Sequence, residues 1–221
     1  MLEKVKKGAA TVAIAGLTIG LAGCGQSSVS KSDEKGTTTL TDILNSKKER
    51  PIVYTMDNED RDNEIQWAGT IGNGKIDAHP TDSLGKVWKF DDVKNLDMKE
   101  FKKELKKEDK EASENQDLTV KTGKEKAKTI LYSRDGKETK ATGFEFNTKH
   151  RGDPDVQDKM KYVTAESGEG KSDGWLTIRD KDSNYVIKVK ADKNEKNIGL
   201  EDVKKAKKQY DNVKVNKPDS E

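Results

Sequence analysis

Cys24 is the only cysteine among 221 residues, and a thiol is intrinsically the most nucleophilic of the common side chains. It directly follows Leu21-Ala22-Gly23, where Ala22 and Gly23 are small enough to pass a peptidase cleft. Upstream, Lys4, Lys6 and Lys7 precede an apolar run from Gly8 to Gly20. The lysines hold the amino end at the cytoplasmic face of a membrane. The run is about a dozen residues long, short of the roughly 20 that a spanning helix needs. Residues 1–23 therefore read as an export signal, with the one thiol placed where the signal ends.

The Leu21-Ala22-Gly23-Cys24 tetrad resembles the lipobox of bacterial lipoproteins. That resemblance implies diacylglycerol on the Cys24 sulfur and signal cleavage between Gly23 and Cys24. It also makes Cys24 the mature amino terminus, whose amine is open to N-acylation. The bland alternative, an ordinary secretory leader with a stray cysteine, has to place the only cysteine there by chance. Each buried acyl CH₂ is worth ~0.8 kcal/mol, and two chains anchor stably where one does not. The expectation is a protein tethered to the extracytoplasmic face of the cell membrane through covalent lipid.

Other patterns that suggest chemistry have simpler readings. Ala165-Glu-Ser-Gly-Glu-Gly170-Lys171-Ser172 satisfies a relaxed phosphate-loop pattern after a plausible strand, Met160 to Thr164. Such a loop needs a following helix to aim N–H groups at phosphate, and here Asp173-Gly174 and another strand follow. A solvated hairpin loop is expected, with no nucleotide bound. Asp180, Asp182 and Asn184, and likewise Asp60, Asp62 and Glu64, have the first ligand spacings of a calcium loop. The sixth position, which needs Gly, holds Tyr185 or Ile65, so both read as polar turns. His79 and His150 lack partners at zinc-site spacing and read as surface histidines. No Gly-x-Ser-x-Gly elbow occurs, and carboxylates are too numerous to rank as a glycosidase pair. Trp67, Trp88 and Trp175 read as core residues ahead of a ligand patch. The expected tally is no catalytic residue, no metal ligand and no cofactor.

The chain holds 43 Lys+Arg against 41 Asp+Glu. Residues 1–23 carry three of the lysines and one glutamate, so the remainder is balanced at 40 of each. Balanced, interspersed charge lacks the clustered basic face that nucleic acid requires. With 38% charged and 30% hydrophobic residues, the core must be economical and flexible stretches are expected.

Residues 24–38 read as the lipidated cysteine and a polar tether. Leu40 to Leu44 suggests a short helix capped by Thr41 or Asp42. Strands are expected at Ile52–Met56 and at Ile65–Ile71, with Ile65, Trp67, Gly69 and Ile71 on one face. A Gly72-Asn73-Gly74 turn follows, then a strand at Lys75–His79 and another at Val87–Phe90. Asp97 and Glu100 form a capping box for a helix to about Glu114. Its stripe is Met98, Phe101 and Leu105, and its second half points into solvent. Hairpins are expected from Thr129–Ser133 with Glu138–Phe146, and from Trp175–Arg179 with Tyr185–Val189. The last helix, about Leu200 to Tyr210, has Glu201 and Asp202 in its first turn, and the chain loosens after Val215. The predicted class is α+β: antiparallel hairpins with two amphipathic helices. They form one domain or two small subdomains, 39–115 and 116–216, with 217–221 a loose tail.

Asn45 to Arg50, Asp62-Asn63-Glu64-Ile65 with the Gly-Asn-Gly-Lys turn, and Ser83-Leu84-Gly85 together resemble a group of uncharacterised lipoproteins of Gram-positive Firmicutes. The likeness covers about residues 40–111 and implies a surface lipoprotein without specifying an activity. The leading expectation is a non-enzymatic binding or accessory protein of the cell envelope. An envelope hydrolase using carboxylates is one alternative. Another is a signal that doubles as precursor of an apolar peptide pheromone, such as Leu17 to Gly23.

Overall fold

A computed structural model describes residues 35–56, 63–81, 87–116, 123–139, 142–149, 157–163, 168–179 and 184–217. Gly23 and Cys24, Asp60, Asp62, His150, Asp180, Asp182 and residues 218–221 lie outside them.

The chain begins with β1 (Thr37–Thr38), α1 (Leu40–Asn45) and three strands, β2 (Arg50–Met56), β3 (Ile65–Gly72) and β4 (Lys75–Pro80). Two helices follow, α2 (Phe90–Val93) and α3 (Met98–Gln116). Then come β5 (Lys124–Lys126), β6 (Lys128–Tyr132), β7 (Glu138–Thr139), β8 (Thr142–Lys149) and β9 (Gln157–Val163). β10 (Gly168–Ser172), β11 (Trp175–Arg179) and β12 (Tyr185–Lys190) form the next group. The chain closes with β13 (Asn197–Ile198), β14 (Glu201–Asp202), α4 (Val203–Gln209) and β15 (Val213–Asn216). The fold is α+β.

β2 lies near the middle of a seven-stranded sheet ordered β10-β11-β12-β2-β3-β4-β5, and β15-β6-β8-β9 makes a second sheet of four strands. β2 alternates Ile52 and Val53 onto opposite faces, and both are fully buried. A strand apolar on both faces needs cover on both faces and partners on both edges. One face packs Ile52, Trp67, Ile71, Leu176 and Ile187 against α1 (Leu40, Ile43, Leu44) and against Phe144 and Phe146 of β8. The other packs Val53, Ile65, Ala68 and Trp175 against Trp88, Phe90 and Val93, and against Phe101 and Leu105 of α3. All three tryptophans are core residues, at 3% exposure or less. α4 seals Leu131 of the four-stranded sheet with Val203 and Ala206.

β12 lies beside β2, and β11 beside β12, so the halves expected on either side of Asn115 share one sheet and both of its faces. Other departures are local. Thr55 pairs with Ile65 while Tyr54 pairs with Trp67, so Gln66 is a bulge. The bulge turns Ile65 to the face opposite Trp67 and Ile71. Trp88 and Lys89 are not a strand: Lys89 makes a single bridge to Glu64, and helix α2 starts at Phe90. Thr39 is the cap of α1, accepting from the Asp42 N–H. The Asp97–Glu100 capping box forms as expected, with Asp97 Oδ1 accepting from Glu100 N at 2.9 Å and Glu100 Oε2 from Asp97 N at 3.1 Å. The expected hairpin of Thr129–Ser133 with Glu138–Phe146 forms through β6 and β8, while Glu138–Thr139 (β7) leaves it to pair with β14. The pairing of β15 with β6 runs one residue past the expected limit at Val215, to Asn216. Thr37 and Thr38 pair with Asn197 and Ile198, so the domain begins before the expected limit of the tether.

The β3–β4 hairpin turns on Asn73 (φ 56°) and Gly74 (φ 68°), left-handed positions that suit these two residues. Within the pair, a Cβ on Gly69 would stand 1.8 Å from the Asp77 carbonyl oxygen. Only glycine lets β4 lie that close. Gly69→Ala is therefore expected to destabilise the protein by about 3 kcal/mol or more, the upper range for overpacking. Urea unfolding is the check, and a change under about 0.5 kcal/mol would show that the hairpin can spread.

Candidate functional site

His79 is not a surface residue: it is 8% exposed. It sits on β4, with Nδ1 2.8 Å from Asp109 Oδ2 and Nε2 3.5 Å from Asp77 Oδ1. Asp109 belongs to the half of α3 expected to face solvent. Its spacing held the missed signal, since Phe101, Leu105 and Asp109 follow one another at i, i+4 and i+8 on one helix face. Burial pulls the imidazole pKa down, but the hydrogen bonds and charges of Asp109 and Asp77 outweigh it and raise the pKa to about 9. At neutral pH the ring is a cation between two carboxylates, with both nitrogens engaged. Such a ring has no lone pair for a metal or for proton abstraction. The group fastens α3 to β4.

The second unusual ionisable group is Glu201, placed by sequence in the first turn of the last helix. The structure puts it in β14, one residue before the Asp202 cap of α4, and buries it to 3% exposure. Its Oε1 accepts from the Thr41 N–H at 2.8 Å, satisfying an amide at the start of α1 that has no partner within the helix. Burial raises the Glu201 pKa to about 7. Hydrogen bonds from Thr41 and Thr39 oppose the shift, and the nearby Asp42 charge adds to it. The Tyr210 hydroxyl donates to Asp42 Oδ1 at 2.8 Å. Burial and that aspartate push the phenol up to about 12.

Glu201, Asp42, Tyr210, Thr39 and Thr41 line one cavity of about 30 Å³, together with Asp202 and Lys205. Two carboxyl groups on one cavity, here Glu201 and Asp42, are what a carboxylate hydrolase requires. A cavity of this size holds a water or two, not a sugar ring. The arrangement joins the start of α1 to α4.

The remaining candidates are set in the frame of the sheet. Lys171 and Ser172 are not in a loop but in β10, opposite Leu176 and Trp175, with a register shift at Gly170. The Lys171 N–H donates to the Lys196 carbonyl at 2.7 Å and its Nζ to the Asp192 carbonyl at 3.3 Å. Both Lys171 donors are used in this way. Glu64 bridges Lys89, and Asn184 is exposed just before β12. Among the described residues, no three His, Cys, Asp or Glu side chains are grouped to hold a metal ion, and no helix is long and apolar enough to cross a membrane. Lys188 Nζ lies 4.2 Å from the Phe90 ring centroid, and Lys190 Nζ 4.9 Å from that of Trp175. Buried Arg50 pairs with Glu195 at 2.6 Å and with Asp192 at 3.6 Å. These contacts brace elements against one another.

No protein-family model, curated protein or solved structure matches the chain.

Two titrations test the assignments. The folded-state pKa of His79 lies above its usual 6.5. Its stabilising contribution is thus complete below pH 6.5 and lost as pH rises through about 9. NMR should show a protonated imidazole at pH 7.5 whose midpoint falls in Asp109→Asn. A midpoint near 6.5 in the wild type would remove the strut. The Glu201 pKa is likewise raised, here for an acid, so its protonated form favours folding. That contribution is present below pH 4.5 and lost as pH rises through about 7. Glu201→Gln should gain about 3 kcal/mol on the wild type between pH 4.5 and pH 8, as measured by urea unfolding. An equal difference at both pH values would contradict the burial argument.

Proposed function

We propose that the chain is a lipid-anchored lipoprotein of the extracytoplasmic membrane face, with a non-enzymatic binding or accessory role in the cell envelope. The observation that carries this reading is the place of the single cysteine: Cys24 follows Leu21-Ala22-Gly23 at the end of a lysine-led apolar run. The resemblance of this tetrad to a lipobox, and of residues 40–111 to Firmicutes lipoproteins, supports the same reading. Three buried ionisable groups, His79, Glu201 and Arg50, work as struts between elements, which favours a scaffold role over catalysis. Eleven positions separate Cys24 from Lys35, which sets a reach of at most roughly 40 Å between lipid and domain.

Cys24→Ala should abolish fatty-acid incorporation and leave residues 1–23 attached. Metabolic labelling of the bacterium that expresses the protein, followed by mass determination, is the test. Undiminished labelling of the variant would overturn the anchor.

A further inference from the structure

The mature chain is balanced in charge, but α4 is not. Residues 203–209 hold four lysines and no acid. Val203 and Ala206 face the core, while Lys204, Lys205, Lys207 and Lys208 are all exposed. None of these four lysines makes an ion pair with a described residue. Lys214 on β15 is also exposed and lies 3.6 Å from Glu145, and Asp202 is occupied in capping α4.

This face lies close to where the chain enters the domain. Gly36 accepts from the Lys196 N–H at 2.7 Å, and β1 pairs with β13 just ahead of β14 and α4. α1, which follows β1, is fastened to α4 by Thr41 to Glu201 and by Tyr210 to Asp42. Lys35 and Lys196 add two exposed cations beside that point.

We propose that the lysine face of α4 docks on an anionic phospholipid surface, holding the domain against the membrane to which it is tethered. This rests on the lipid anchor at Cys24. The magnitudes make the tether necessary. Each lysine near an anionic surface favours association about fivefold, so four give roughly several hundredfold. That is too weak to collect a dilute free protein, but it suffices when a short tether sets the effective concentration in the millimolar range. Docking then covers α4 and leaves the opposite parts of the domain toward the wall and medium.

The chain from Cys24 onward carries a single thiol, so it can be coupled through Cys24 to a maleimide lipid. The anchor is then fixed whether or not cells acylate Cys24, and failure of that reading is scored separately by fatty-acid labelling. Vesicles of phosphatidylcholine, with or without phosphatidylglycerol, carry a paramagnetic headgroup lipid. Broadening of the Lys204–Gln209 amides should be about fivefold greater on the anionic vesicles at ~0.1 M salt and vanish at ~1 M. It should be lost in the variant with Lys204, Lys205, Lys207 and Lys208 changed to Gln, and kept when all four become Arg. Equal broadening on both vesicles, or no loss in the Gln variant, overturns the proposal. So does a soluble polyglycerol phosphate that shifts these amides while anionic vesicles do not, since that would assign the face to an envelope polymer.

Discussion

Strand β2 sets the terms for the rest of the molecule. Ile52 and Val53 are adjacent and both fully buried, so both faces of the sheet must be covered. β2 pairs with β3, its neighbour in sequence, and with β12, whose Tyr185 meets Met56 from 129 residues further on. That second pairing brings the β10–β11–β12 hairpins into the sheet and lets Leu176 and Ile187 complete the core under α1. Pro51 is tolerated in this central strand because the β12 pairing ends at Ile52, leaving only β3 alongside.

A chain with so few apolar residues holds its layers together with ionisable side chains where hydrophobic cover is thin. His79 joins α3 to β4, Glu201 joins α4 to α1, and Arg50 holds the 192–195 turn against the start of β2. Glu49 joins α3 to β5 through Lys102 and Lys124, whose ammonium groups keep its carboxyl below the usual range. The four differ in burial. Arg50, His79 and Glu201 are under 9% exposed, where removing one partner leaves an unmatched buried group and costs most. The Glu49 pairs are open to solvent and contribute less. The pKa shifts of His79 and Glu201 are the electrostatic signature of this bracing, and both groups spend their polarity inside the fold.

The same economy shapes the surface. Acids and bases alternate along α3 and form i,i+3 and i,i+4 pairs such as Lys107–Glu104 and Lys107–Glu111. Exposed α4 carries lysine without matching acid. A chain that is nearly balanced in charge thus presents one cationic helix face.

The sequence by itself determined what depends on short-range chemistry. The Asp97–Glu100 capping box, the Asn73-Gly74 turn, the β11–β12 hairpin and the Phe101–Leu105 stripe were legible because each needs only residues a few positions apart. The case for Cys24 is of the same kind and rests wholly on its neighbours. Tertiary structure decided what depends on distant partners. Whether Ile65 shares a face with Trp67 turned on a bulge at Gln66, since one extra residue reverses the alternation. His79 looked like a surface residue because Asp109 lies thirty positions away. Glu201 looked like part of a helix's first turn because α1, whose amide it satisfies, lies 160 positions away. Periodicity reports which side of an element is apolar, but only the packed chain shows which polar side chains are carried inside with it.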